Sequence, residues 1–227
     1  SYVWFNPLNG DITPATISGD SIDICLRSGE SMILQTYTEN SFSQSSLSKP
    51  SRLSSISSKT NDISLRGPWT LSFTEEAPKV NKTFTLNKLQ TWETLDDDSA
   101  KVTMGTGIYT TKFKLTKKDD PKGTWMIDLG DVRESARVYI NGQFIGCAWS
   151  VPFVLDCQQT LKVGINELRI EVTNLPANRI ADLDRRGISW RKMEEINVVD
   201  INYKKTTYDK WEPVPSGLNS EVKLIHH

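Results

Sequence analysis

The sequence predicts an all-β fold. Three observations carry that prediction: runs in which apolar and polar residues alternate, an Asn-Gly pair between two such runs, and a scarcity of segments with helical period. The densest stretch is TWMIDLGDVRESARVYINGQFIGCAWSVPFVLDCQQTLKVGINELRIEVTN, residues 124–174. Trp125, Ile127 and Leu129 share one side of its first run. Val138 and Ile140 share one side of the second, with Arg137 and Tyr139 opposite. Leu168, Ile170 and Val172 share one side of the third, with Arg169, Glu171 and Thr173 opposite. Successive side chains of a strand point to opposite faces, so each run is expected to bury one face and wet the other. Asn141-Gly142 separates Val138-Tyr139-Ile140 from Gln143-Phe144-Ile145, and Asn-Gly accepts the positive φ angles that a tight hairpin turn requires.

From the N-terminus, residues 1–38 read as a short β segment. Val3-Trp4-Phe5 is a strand, residues 6–11 a turn, residues 21–26 alternate, residues 27–30 turn again, and residues 31–37 form a further strand. A piece of this size is too small to hold a core alone. The opening Ser1-Tyr2-Val3-Trp4-Phe5 lacks the basic and apolar layout of a signal peptide and reads as a start in mid-protein. Residues 39–62 contain ten serines and read as a linker or surface loop, with Leu47, Leu53 and Ile56 suited to lying against the protein. Strands dominate residues 63–227. Residues 80–92 alternate weakly, Asp96-Asp97-Asp98 marks a turn, and residues 117–123 form a connection. One short helix is expected within residues 180–196, interrupted at Gly187.

The order VYINGQFIG, PFVLD, LKVGINELRIEVTN resembles the jelly-roll "sugar-binding" domain of glycoside hydrolases, as found in family 2 enzymes and in the C-terminal region of family 106 α-L-rhamnosidases. Gly67-Pro68-Trp69-Thr70-Leu71-Ser72-Phe73 is similar to that domain's first strand, and residues 105–113 to the strand after its long first connection. Residues 173–180 and Ser216-Gly217-Leu218 fit the rhamnosidase-like version, so the resemblance covers roughly residues 63 to 225. It implies an antiparallel β-sandwich of galactose-binding-like type. The layout WFNPLNGDI…LRSGES is similar to the end of the β-domain that precedes the rhamnosidase jelly roll. The implied role is a non-catalytic accessory domain, structural or also carbohydrate-binding, of a larger glycoside hydrolase acting on plant-type or other complex glycans. Its partner would be the catalytic domain of the same parent chain, and a secreted parent would place it in the periplasm or outside the cell. In some family 2 relatives this domain lends a polar residue to the rim of the active site on another domain.

The totals narrow the alternatives. A net charge of −1 gives no electrostatic reason to bind nucleic acid or an anionic membrane. No apolar run approaches the roughly 20 residues of a membrane helix. Cys25, Cys147 and Cys157 have no metal spacing and read as free thiols, with Cys147–Cys157 the one pair to inspect for a bridge. The only histidines, His226 and His227, end the chain, which argues against a His-dependent triad or a His-rich metal site. Asp96-Asp97-Asp98 offers oxygen ligands for a structural Ca²⁺, against the simpler reading of a solvated turn; no other cofactor is expected.

Glycoside hydrolysis needs two carboxyls about 5–10 Å apart. Asp182, Asp184, Glu194, Glu195 and Glu212 are the candidates, and each lies among Arg or Lys residues that make surface ion pairing the simpler reading. Sugar binding asks instead for aromatic faces and polar rims on loops at one end of a rigid scaffold. Trp149, Asn178, Arg179, Asp182, Asp184, Arg186, Trp190 and Trp211 are the candidate carbohydrate contacts, expected to converge at one end of the sandwich. Trp69, Trp92 and Trp125 read as core; Trp149 reads equally as core edge or contact. Trp190 and Trp211 also suit packing beneath a long loop, Arg179 suits a buried ion pair tying that loop to the sheet, and Asn141 suits turn chemistry alone. Two other function classes stay open: a self-sufficient glycosidase using a pair among Asp182, Asp184, Glu194 and Glu195, and a protein-interaction module.

Overall fold

The computed structural model describes residues 2–8, 10–24, 26, 28–37, 62–119, 121–192, 202 and 204–226. Cys25, nearly all of the serine-rich segment, Glu194, Glu195 and His227 lie outside the described residues. The chain divides into two units, Ser1–Asn61 and Asp62–His226.

The first unit carries strands β1 (Tyr2–Phe5), β2 (Ile12–Pro14), β3 (Ile17–Ser18), β4 (Ser21–Ile22) and β5 (Ile33–Thr36). They pair antiparallel as a sheet in the order β2-β1-β5 and a β3-β4 hairpin. The turn after β1 forms because the Asn6 carboxamide accepts the Leu8 amide at 2.9 Å. The alternating stretch expected over residues 21–26 shrinks to Ser21–Ile22, whose partner strand is only two residues long. Among this unit's described residues Val3 is the buried large apolar side chain, while Tyr2, Ile33 and Leu34 are exposed.

The second unit contains β6 (Ile63–Leu65), β7 (Trp69–Ala77), β8 (Phe84–Leu86), α1 (Asp98–Val102), β9 (Met104–Leu115), β10 (Trp125–Asp128), β11 (Val132–Arg133), β12 (Ser135–Ile140), β13 (Gln143–Ala148), β14 (Val154–Asp156), β15 (Gly164–Thr173), α2 (Ala177–Arg185), β16 (Gly217–Leu218) and β17 (Val222–His226). A six-stranded sheet in the order β13-β12-β15-β9-β7-β8 and a four-stranded sheet in the order β14-β10-β17-β6 form the β-sandwich, with β11 and β16 paired separately. All pairings are antiparallel. The expected inward residues fill the core: Trp69, Trp92 and Trp125 pack with Leu129, Val138, Ile140, Leu168, Ile170 and Val172. The first run departs from simple alternation, because Met126 is buried as well as its neighbours Trp125 and Ile127. Strand β10 is interior to its sheet, and Met126 is shielded between Ile225 on one side and Asp156 on the other.

Two local expectations change. Asp96-Asp97-Asp98 is a helix start rather than a turn: the Asp97 carboxylate accepts the Ala100 amide at 2.9 Å and caps α1. Asp98 pairs with Lys101 at 2.9 Å, and no group of three or more His, Cys, Asp or Glu among the described residues is arranged to hold a metal ion. Asn141 does more than turn the chain. It sits at φ 52° with Gly142 at φ 82°, as the hairpin requires. Its amide group also donates to the Thr160 carbonyl at 2.8 Å and to Asn166 Oδ1 at 2.9 Å, and its carbonyl oxygen accepts the Glu167 amide at 3.1 Å. Cys147 and Cys157 are free; Cys147 is exposed, whereas burial pushes the Cys157 thiol up to about 12.

Candidate functional site

Strand register sets which connections meet. Ala136 pairs with Ala148 on one side and Val172 on the other; Ser135 pairs with Thr173, whose other neighbour is Thr106. The end of β13, the end of β15 and the start of β9 therefore share one end of the six-stranded sheet. Trp149 leaves β13 there and is 61% exposed, which removes the core-edge reading. Leu175 and α2 leave the same end from β15, two strands and so about 10 Å away.

Helix α2 begins at Ala177, three residues before the expected segment, with Pro176 at its N-cap. It ends where the sequence predicts. Gly187 takes φ 65°, its amide donates to the Asp184 carbonyl at 3.0 Å, and the Ile188 amide donates to the Leu183 carbonyl at 2.9 Å. That pair of bonds is a Schellman stop, which favours glycine at this position.

Asn178 faces inward and is buried. Its amide group donates to Glu93 Oε1 at 3.0 Å and to the Val214 carbonyl at 2.8 Å, while its oxygen accepts the Val214 amide at 2.8 Å. Glu93 Oε2 accepts the Ser216 amide at 3.3 Å. Asn178 therefore latches the returning chain to α2, and its polar groups are spent on protein. Arg179 does not tie the loop to the sheet; it pairs with Asp182 one turn along the same helix at 2.8 Å, and Arg186 reaches the same oxygen at 3.4 Å.

Asp184 organises the outer side of this region. Its Oδ1 accepts the Trp190 indole at 2.7 Å and its Oδ2 accepts the Tyr208 amide at 2.7 Å. The rings of Tyr208 and Trp211 meet at a tilt with their centres 4.4 Å apart, and Tyr208 approaches Trp190 at 6.2 Å, so the two tryptophans flank one tyrosine. Arg185 holds the returning chain by donating to the carbonyls of Asp209 (2.8 Å) and Trp211 (2.6 Å). Arg191 donates to the Thr206 carbonyl and lies 5.1 Å from the Trp190 ring centre. An open groove of about 560 Å³ runs beside the end of α2, lined by Asp184, Arg185, Ile188, Ser189, Lys205 and Asp209 among others. Trp190 is half-buried and Trp211 exposed.

The Tyr208 amide and then the Trp190 indole hold the Asp184 carboxyl below its usual value. The group therefore helps hold the loop above the unfolded carboxyl value, about 3.9, and that help is lost as pH falls through the lower folded value. The Trp190 indole N–H resonance is expected to titrate with a midpoint below about pH 3.9, the unshifted aspartate value. A midpoint at or above that value would remove Asp184 as the organiser.

The structure thus gathers Asp184, Trp190 and Trp211, pairs Arg179, Arg186 and Asp182 with one another, commits Asn178 to a latch, and leaves Trp149 on a separate connection. Asp182 and Asp184 are two residues apart on α2 and do not face each other, so they do not form a carboxyl pair. Arg185, a neighbour of the expected contacts in sequence, joins the site, and Tyr208 and Asp209 complete it without being expected there; the spacing Tyr208-x-x-Trp211 is the readable signal.

A family model described as glycosyl hydrolase 2 galactose-binding domain-like matches residues 85–214. The chain belongs to this family. The chain is also similar to a Formosa agariphila protein provisionally named beta-glucuronidase, at 28% identity over 219 residues that cover 89% of this chain and 19% of that protein. Among solved structures, a rhamnosidase from Novosphingobium sp. PP1Y superposes with a TM-score of 0.68 at 23% identity, covering 100% of this chain and 20% of that one. A Bifidobacterium dentium beta-glucuronidase gives 0.52 at 16% identity, covering 75% of this domain's chain and 30% of its own. These likenesses bear on the fold alone. The chain spans about a fifth of the length of the Formosa and Novosphingobium proteins. Among the described residues no helix of the galactose-binding-like domain is long and apolar enough to cross a membrane.

Proposed function

We propose that this galactose-binding-like domain is a non-catalytic accessory domain of a larger glycoside hydrolase that is exported to the periplasm or beyond. One observation carries the reading: membership of the glycosyl hydrolase 2 galactose-binding domain-like family in a chain that spans a fifth of the hydrolase-named proteins it matches. The described residues fit that role, since Asp182 and Asp184 do not oppose one another and Asp182 is bound up with Arg179 and Arg186. The end of the sandwich bearing Trp149 and Leu175 is the surface that would rest on the catalytic domain of the parent, because both side chains stand exposed at one end of the sheet.

A second reading, that the domain also holds carbohydrate, is favoured by the groove beside α2. Polar side chains line it, and the exposed ring of Trp211 stands nearby on the segment that Arg185 holds. Incubating the purified chain with aryl glycosides and oligosaccharides is expected to release no product above the uncatalysed background. Measurable cleavage would overturn the accessory reading in favour of a self-sufficient enzyme.

A further inference from the structure

We infer that the groove beside α2 accepts an uncharged sugar unit with adjacent hydroxyls and rejects a uronic acid. This rests on the reading that the groove holds carbohydrate, and it concerns which carbohydrate. The groove's walls carry two carboxylates, Asp184 and Asp209, and two cations, Arg185 and Lys205. Recognition of a carboxylate favours a guanidinium that offers two parallel N–H groups. Arg185 has already committed Nε and one N–H of Nη2 to the carbonyls of Asp209 and Trp211, so its side-on fork is taken up by the protein. Lys205 lines the same wall as Asp184 and Asp209, so the wall's two positive charges are matched by two carboxylates.

An entering carboxylate would therefore find the wall's two cations already matched by two carboxylates and the side-on fork of Arg185 taken, and would lose hydration without full replacement. A neutral diol meets a better match. Asp184 is an acceptor only, and each of its oxygens keeps a lone pair after bonding the Trp190 indole or the Tyr208 amide. Ser189 and Thr207 add hydroxyls that donate or accept. Trp211 does not line the groove, but it stands exposed two residues beyond Asp209 on the segment that Arg185 holds, and offers a ring to the C–H face of a pyranose that extends past the groove's edge.

The test uses the full chain labelled with ¹⁵N, following the indole N–H signals of Trp190 and Trp211 during separate titrations. The ligands are methyl α-L-rhamnoside, methyl β-D-galactoside, methyl β-D-glucuronide and the methyl ester of that glucuronide. The expected result is movement of these signals with at least one neutral glycoside and with the ester. The free glucuronide should need at least tenfold higher concentration. Trp211→Ala should abolish the movement of the remaining Trp190 signal, while Phe144→Ala, in strand β13, leaves both signals' responses unchanged. Equal or tighter binding of the free glucuronide overturns the charge selection but leaves carbohydrate binding standing. No movement with any of the four ligands removes the carbohydrate reading and this inference together.

Discussion

Gly217→Ala is expected to destabilise the sandwich by about 3–5 kcal/mol, which combines strain at a positive φ, overpacking and a disturbed buried hydrogen bond. Gly217 sits at φ +94° in β16, where a Cβ would run into the Trp92 indole nitrogen and the Tyr109 hydroxyl. Those two groups are themselves bonded: Trp92 Nε1 donates to the Tyr109 hydroxyl at 2.7 Å, and the Leu218 amide donates to the same oxygen at 3.2 Å. Trp92 and Tyr109 are fully buried, so neither side chain can move aside without displacing core neighbours. Burial pushes the Tyr109 hydroxyl above its ordinary value, so it stays protonated at working pH. Urea unfolding followed by tryptophan fluorescence should show a lower midpoint with an unchanged slope. Tyr109→Phe is the comparison: it strands two buried donors and should cost about 2–3 kcal/mol without the steric component. A Gly217→Ala loss below that of Tyr109→Phe would show that the backbone there yields more easily than the packing implies.

The sandwich was legible because its signals are local. Alternation placed Val138, Ile140, Leu168, Ile170 and Val172 in the core, Asn141-Gly142 announced a hairpin, and Gly187 announced the end of α2. What escaped depends on partners distant in the chain. Asn178 read as a sugar contact because it neighbours charged and aromatic residues, yet its partners Glu93 and Val214 lie 85 and 36 positions away. No spacing rule connects them; only the return of the chain past α2 does. Asp184 looked interchangeable with Asp182 as a carboxylate, but a step of two residues on a helix sends them to different sides. One accepts an indole and a backbone amide, and the other takes two arginines. The run Asp96-Asp97-Asp98 misled in the opposite way: a capping aspartate and a turn aspartate have the same local composition, and the short helix behind Asp97 has too few apolar residues to show a period.

The latch can be turned into a pH-sensitive defect. Asn178→Asp keeps the shape of the side chain but removes both N–H groups that now reach Glu93 Oε1 and the Val214 carbonyl. When ionised, the introduced carboxylate would lie about 3 Å from that of Glu93, the distance the amide now spans. Two carboxylates this close in a largely buried place do not both ionise readily, so the pair holds a proton to higher pH in the folded state than in the unfolded chain. A folded value above the unfolded one contributes stability at low pH that disappears as pH rises through it. The variant should therefore be nearly as stable as the parent near pH 4 and weaker by about 3 kcal/mol at pH 8, the order expected for an unpaired buried charge. Asn178→Ala serves as the control, because it leaves the Val214 groups unmet at every pH and should lose about 2 kcal/mol with little pH dependence. Paired urea titrations at the two pH values separate the cases. Parallel losses for both variants at the two pH values would mean that the lost amide bonds to the Val214 segment carry the effect and that Glu93 is not its partner in solution. A steep loss confined to Asn178→Asp would assign the amide to the structure of the α2 region and leave Asp184, Trp190 and Trp211 as the groups available to a ligand.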